Sequence, residues 1–329
     1  MAVELAATTN FTFLTGASHP EEMVERAAEL GLDAIAIADR MSLAGVVRAH
    51  VRLKEIAREE VSKKAPNITG KDVVAHARRI RALTRVDPSS RMEEPLPDSL
   101  PAELAEAPES YRSIPRLIVG ARLAFTDSAV EVIALAPDRP AYAALSRLLT
   151  LGKRRAPKGD CHLSLADLED ESAPWHGRLI GLIALPDPLS QRRADEPSDG
   201  TNAAAGRPRA RPPAAGAGTV LADATRLARR LARAAVLAAP RYDGRDAQRF
   251  DALAGRARRL GLPLAATAEP MMHRGARRRL ADVLTCIRER LTVDTLGTRA
   301  LPNAERHLRS PEELDRLFAR HHTALAEAD

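Results

Sequence analysis

Apolar residues along this 329-residue chain come in short runs separated by stretches of helical period. Residues 33 to 39, DAIAIAD, are almost wholly apolar, the pattern of a strand buried on both faces. Comparable runs lie at 5–14, 115–125 (PRLIVGARLAF), 130–137 (VEVIALAP), 178–186 (RLIGLIALP), 235–239 and 262–269 (LPLAATAE). Between them, apolar residues recur three and four apart. Met23, Ala27 and Leu30 share one helical face, and Val46, Val47, His50 and Leu53 lie on or near another. Tyr142, Leu145, Leu148 and Leu149 mark a third helix, and Leu280, Val283, Leu284 and Ile287 a fourth.

Start and stop signals sharpen these elements. Ser18 suits an N-cap, Pro20 the first turn and Glu21 a capping box, while Gly31 closes the helix. Ser310-Pro311-Glu312-Glu313 repeats that logic before Leu314, Leu317 and Phe318. Strand, helix, strand, helix over the first 60 residues predicts parallel strands with right-handed crossovers. About six short apolar strands alternating with helices suit an α/β barrel or a doubly wound sheet. There is no GxGxxG and no GxxxxGK[ST] loop, which favours the barrel.

Two stretches break the pattern. Residues 60 to 114 are rich in Pro, Ser and acid around one helical segment (VVAHARRIRAL), and read as a largely irregular insertion. Residues 190 to 218 are low in complexity and rich in Pro, Gly and Ala, the composition of a disordered linker.

Hydrophobic residues make up 45% of the chain and aromatic ones 3%, so the core rests on Ala, Leu, Val and Ile. Lys and Arg number 50 against 44 acids, a net charge of +6. Only six of the 50 are Lys, leaving 44 Arg. Acids are interspersed among the arginines, so the excess of Arg over Lys reads mostly as the mark of a GC-rich genome and less as a nucleic-acid surface, although the weak net positive charge fits such a partner. Cys161 and Cys286 form no CxxC, so neither a disulfide framework nor a zinc site is supported. No run reaches membrane-spanning length and no secretory leader is visible, which predicts a cytoplasmic protein without membrane partners.

Chemistry in a β/α barrel sits at C-terminal strand ends. Asp39-Arg40 and Glu269 fall there, and two such acids could hold a hard cation. Alternatively Asp39 caps the next turn or pairs with Arg40 or another Arg. His273 follows Glu269 by four residues, but Pro270 interrupts a helical pairing of the two. His19, His50 and His76 lie on or near predicted helices, and His307, His321 and His322 come late in the chain. No GxSxG elbow nominates a nucleophilic serine.

Six segments taken together resemble one family: residues 8–50 (TTNFTFLTGASHPEE to AGVVRAH), IVGARLAF, LSRLLTLGKRRAPKGDCHLSLADL, GLPLAATAEPMMH, DVLTCIRE and NAERHLRSPEELDRLF. They look like the N-terminal PHP (polymerase and histidinol phosphatase) domain of bacterial C-family DNA polymerases, in the error-prone DnaE-type branch. The resemblance implies an α/β fold, a distorted (β/α)7 barrel over residues 1–300. Residues 301–329 would then begin a helical connection toward a polymerase core that this chain does not contain. Active members carry a trinuclear metal cluster at the strand ends that hydrolyses phosphoesters or proofreads 3′ ends.

The family's ligand positions fall on poor donors here. The first His-x-His corresponds to Ala6 and Thr8, the Asp-His pair to Asp39 and Arg40, and a glutamate to Arg122. The next His falls near Glu131, the Cys near Pro188, and the last Asp-x-His on Glu269 and Met271. Only Asp39 is retained outright, with Glu269 a conservative swap. The resemblance therefore implies an inactive barrel with vestigial positions Asp39 and Glu269. Arg40 and Arg122 would fill the metal site with ion pairs, and no cofactor would bind. The alternative is a residual phosphoesterase or 3′-exonuclease using Mn, Zn or Mg. The implied partners are a DNA polymerase core, DNA and mutagenesis accessory proteins.

Overall fold

A computed structural model describes residues 2–64, 114–189 and 216–328. The expected insertion helix with His76, and the body of the expected linker, lie outside the described residues.

Seven strands form one sheet in chain order: β1 (Val3–Ala7), β2 (Ala34–Arg40), β3 (Arg116–Ala124), β4 (Glu131–Ala136), β5 (Ile180–Ala184), β6 (Arg233–Ala238) and β7 (Leu264–Ala266). All neighbours are parallel except at β4, which runs antiparallel to both β3 and β5. Only six residues separate β3 from β4, too few for the crossover that a parallel return needs. The wall helices are α1 (Pro20–Glu29), α2 (Ala44–Lys64), α3 (Arg139–Arg155), α4 (Leu165–Glu169), α5 (Ala217–Ala228), α6 (Asp246–Leu260), α7 (Arg278–Glu289), α8 (Pro311–Leu317) and α9 (His322–Ala328).

Strand alternation sorts residues between the barrel interior and the wall. Inside lie Leu5, Ala34, Ala36, Ala38, Ile133, Leu135, Leu182, Ala235, Leu237 and Ala265. So many alanines make a narrow, filled interior. Outside, Met23, Val24, Ala27, Val46, Ala49 and Leu53 pack α1 and α2 onto Ile35 and Ile37. Leu145, Leu148 and Leu149 of α3 join Leu123, Val132 and Val236. Phe250 stacks on Phe318 at 4.7 Å, and Leu314 and Ala324 bring α8 and α9 into the same cluster with Ala238 and Ala266.

The curled sheet has no ladder between β7 and β1. A buried carboxylate bridges that seam instead. Glu4, 1% exposed, accepts hydrogen bonds from the amides of Ala6 (2.8 Å) and Ala268 (3.0 Å) and from the Thr267 hydroxyl. Burial pushes its pKa up to about 7, although those three bonds oppose the rise.

Several sequence expectations are corrected. The N-cap of α1 is His19, whose amide donates to Glu22 (2.8 Å); Ser18 instead bonds His273. On α2 the buried stripe is Val46, Ala49, Leu53 and Ala57, whereas Val47 and His50 face solvent. On α7 the buried residues are Ala281, Thr285 and Cys286; Leu280, Val283 and Ile287 are exposed. On α7 the i, i+3, i+4 spacing is satisfied by two adjacent faces and the smaller side chains take the inside; on α2 Val46 and Leu53 are inside as expected, and only Val47 and His50 fall outside the stripe. α2 also continues through Lys64, past the expected start of the insertion.

Candidate functional site at the barrel mouth

Because β4 is antiparallel, its first residue lies at the same end of the barrel as the last residues of its neighbours. Glu131 pairs in register with Ala124 and with Ala184. Arg40 continues the inward parity of Ala34, Ala36 and Ala38, and Arg122 that of Ile118 and Gly120. Glu269 continues that of Ala265 and Thr267 beyond β7. These side chains therefore converge on the mouth.

There they form a continuous chain of ion pairs. Glu131 receives Arg40 on one oxygen and Arg122 (3.1 Å) on the other. Arg122 also reaches Glu269, whose second oxygen meets Arg306 at 3.3 Å. The order is Arg40–Glu131–Arg122–Glu269–Arg306, three cations to two anions. Glu269 has φ 48°, a left-handed conformation uncommon outside glycine. Its carboxylate is clamped from both sides, and the side chain is 8% exposed.

The electrostatics follow from this packing. Burial alone would raise Glu269, but Arg122, Arg306 and Arg241 together hold its pKa down to about 2. Burial likewise opposes the ionisation of Glu131, and the charges of Arg40 and Arg122 reverse that, leaving it below the ordinary carboxylate range. Arg306 is depressed by burial, with Glu269 opposing and Arg241 and Arg122 reinforcing the shift. A cavity of about 90 Å³ borders the network, with Arg40, Glu131, Thr126, Cys161 and His162 among its lining residues.

Asp39 stands apart from this chain. It accepts from the Thr9 amide (2.8 Å), the Thr9 hydroxyl (2.7 Å) and the Thr12 hydroxyl (2.8 Å), and it is fully buried. Burial raises its pKa against those hydrogen bonds. The expected pairing of Asp39 with Arg40 does not occur. Consecutive strand residues point to opposite faces, so Arg40 enters the mouth while Asp39 faces the loop after β1. His273 is also separate, with Nδ1 2.8 Å from the Ser18 hydroxyl and 3.8 Å from Glu22. Ala6 is wholly buried, and the Thr8 amide donates to the Pro270 carbonyl (2.9 Å) across the seam. Among the described residues, no group of three His, Cys, Asp or Glu is placed to hold a metal ion. No helix among them is long and apolar enough to cross a membrane.

Glu131 was visible in the sequence only as the residue near a family histidine position, and Arg306 only as one arginine within NAERHLRS. Arg40 lies 91 residues from Glu131 and Glu269 lies 37 from Arg306, so neither pairing has a local mark; Arg122, 9 residues from Glu131, is the one near partner, and it becomes a neighbour only because β4 turns back on β3.

A family model described as the PHP domain matches residues 4–168. The chain belongs to the PHP domain family. Among curated proteins, an error-prone DNA polymerase from Ruegeria pomeroyi is 49% identical over 98% of this chain and 25% of its own length. One from Rhodopseudomonas palustris is 36% identical over 98% and 25%, and one from Caulobacter vibrioides is 35% identical over 96% and 21%. The chain thus spans about a quarter of the length of the curated relatives it matches, and is homologous to the PHP portion of error-prone DNA polymerases. One solved structure, from Bifidobacterium adolescentis, shares 14% identity over 82% of this chain and 87% of its own with a TM-score of 0.38, too distant to bear on the chemistry.

Proposed function

We propose that this PHP barrel is a catalytically inert scaffold within an error-prone DNA polymerase, active in cytoplasmic, damage-induced DNA synthesis. It would brace the polymerase core and offer surfaces to DNA and mutagenesis accessory proteins. The observation that carries this reading is the ion-pair chain from Arg40 to Arg306. A divalent cluster needs several unclaimed carboxylates and imidazoles with room for bound water. At this mouth Glu131 and Glu269 are each held by two guanidinium groups, and Ala6 and Met271 offer no strong donor. The residues do not fit the cluster, and no hydrolytic step runs through them.

The test is metal content together with phosphoester hydrolysis. After equilibration with Mn²⁺, Zn²⁺ or Mg²⁺ and desalting, elemental analysis should find no stoichiometric ion, and aryl phosphates and DNA 3′ ends should stay intact. Two or three retained ions, or a hydrolysis that Asp39→Ala abolishes, would overturn the reading in favour of a residual phosphoesterase.

A further inference from the structure

The wall helix α3 carries a charge pattern that its own fold does not use. From Arg139 through Gly159 the sequence holds six cations and no acid: Arg139, Arg147, Lys153, Arg154, Arg155 and Lys158. Arg155 is committed to Asp167 at 2.6 Å. The other five are exposed, and none has an ion-pair partner among the described residues. The other long helices set carboxylates beside several of their cations, although Arg258 and Arg259 of α6 are also exposed and without an ion pair among the described residues. Arg48 and Arg52 of α2 reach Glu21 and Glu25, Arg226 of α5 reaches Glu169, and Arg249 of α6 is held by Asp187, Asp243 and Asp246.

Helix stability does not explain the pattern. Lys153 and Arg154 in the last turn complement the helix dipole. Arg139 occupies the first turn, where a positive charge is unfavourable, and Arg147 is mid-helix. At 100° per residue, Arg139, Tyr142, Arg147, Thr150, Lys153 and Arg154 fall within one arc of the solvent face. The opposite face, with Leu145, Leu148 and Leu149, is buried in the wall. Arg139 to Arg154 spans about 22 Å at the helical rise.

The stripe also contains an aromatic ring. Tyr142 is 39% exposed, one of three tyrosines in a chain with few aromatics. A row of unpaired cations flanking an exposed ring is the combination that single-stranded nucleic acid uses, with phosphates on the charges and a base stacked on the ring. An acidic protein surface could also meet the charges and pack on the ring, but a row of cations over about 22 Å fits the repeated phosphates of a strand better. We infer that the solvent face of α3, with the loop to Lys158, is a binding surface for single-stranded nucleic acid. This inference does not depend on whether the barrel mouth is inert.

The experiment uses the full chain and a fluorescein-labelled oligo(dT), with affinity read by anisotropy across a salt series. Replacing Arg147, Lys153 and Arg154 with Ala should flatten the log–log salt dependence by about 2, from about 0.7 per lost phosphate contact. Tyr142→Ala should weaken oligo(dT) binding by about fivefold or more while leaving duplex binding unchanged, and Tyr142→Phe should bind like the parent. A control removing three cations elsewhere (Arg258, Arg259 and Arg320 to Ala) should leave the slope as it was. All these positions are exposed, and unchanged thermal unfolding verifies that each variant is folded. Absent binding at low salt would overturn the inference, as would an equal loss in the control. It would also fail if the α3 variant lost affinity for polyglutamate alone, which would assign the stripe to an acidic protein.

Discussion

Glu269 sits between Arg122 and Arg306 at the inner end of the ion-pair chain, and its carboxylate is what lets both guanidinium groups stay in a poorly solvated mouth. Glu269→Gln removes the charge while keeping the shape. Urea unfolding should show a loss of about 3 kcal/mol, the cost of stranding a buried ion-pair partner. The loss should be the same with and without a chelator, whereas a metal ligand would lose its stabilising role once the metal was stripped. Glu4 titrates in the opposite sense. Its folded pKa of about 7 exceeds the ordinary 4.5, so the folded state holds the proton more tightly than the unfolded chain. Its contribution is fully present below pH 4.5 and is lost as pH rises through 7. Glu269, with a folded pKa of about 2, adds a slope of the opposite sign near pH 4.5, where its unfolded carboxyl still titrates, and that slope is common to the parent and a Glu4 variant. Glu4→Gln should therefore equal the parent near pH 4.5 and be the more stable protein at pH 8, by up to about 3 kcal/mol for a shift of this size. Denaturant midpoints of the two proteins between pH 4.5 and 8 measure the difference directly.

At the scale of elements, two glycines separate backbone need from backbone tolerance. A Cβ on Gly16 would overlap the Thr9 carbonyl, within the loop that aims Thr9 and Thr12 at Asp39. Gly16→Ala should lower stability by about 3 kcal/mol, the upper range for forced overpacking. Gly255 lies inside α6 with nothing near its would-be Cβ, so Gly255→Ala should raise stability by about 0.5–1 kcal/mol. Thermal unfolding of both variants checks the contrast. These elements also show what the chain discloses about itself. The run DAIAIAD marks β2 because a strand buried on both faces needs apolar residues throughout. The antiparallel direction of β4 leaves no mark in VEVIALAP, since alternation looks the same in either sense; only the short connection from β3 hints at it. The same alternation contains the reason Asp39 and Arg40 cannot pair, although their adjacency suggested that they would. Arg306 gave no signal, because its role arises from a loop laid over the mouth from far along the chain. The exposed face of α7 reads as core from its apolar residues, and only packing reveals that Ala281 and Cys286 are the ones inside.

For the molecule as a whole, the barrel is a ring with one joint unlike the rest. Six joints are hydrogen-bonded ladders, and the seventh is held by the Glu4 carboxylate and the Thr8–Pro270 bond. Native-state hydrogen exchange should open first along β1 and β7 and last along β2 and β3, with the seam hastened further above pH 7 as Glu4 ionises. Uniform protection around the ring would contradict this. The ion-pair chain has a consequence of another kind, for how the barrel can change over generations. Glu131, Arg122 and Glu269 each answer to two neighbours, so exchanging any one of the arginines leaves at least one carboxylate half-answered. Changing the network one residue at a time therefore passes through less stable intermediates. The mouth acts as a ratchet, admitting drift at the surface around it while resisting stepwise remodelling of its own charges.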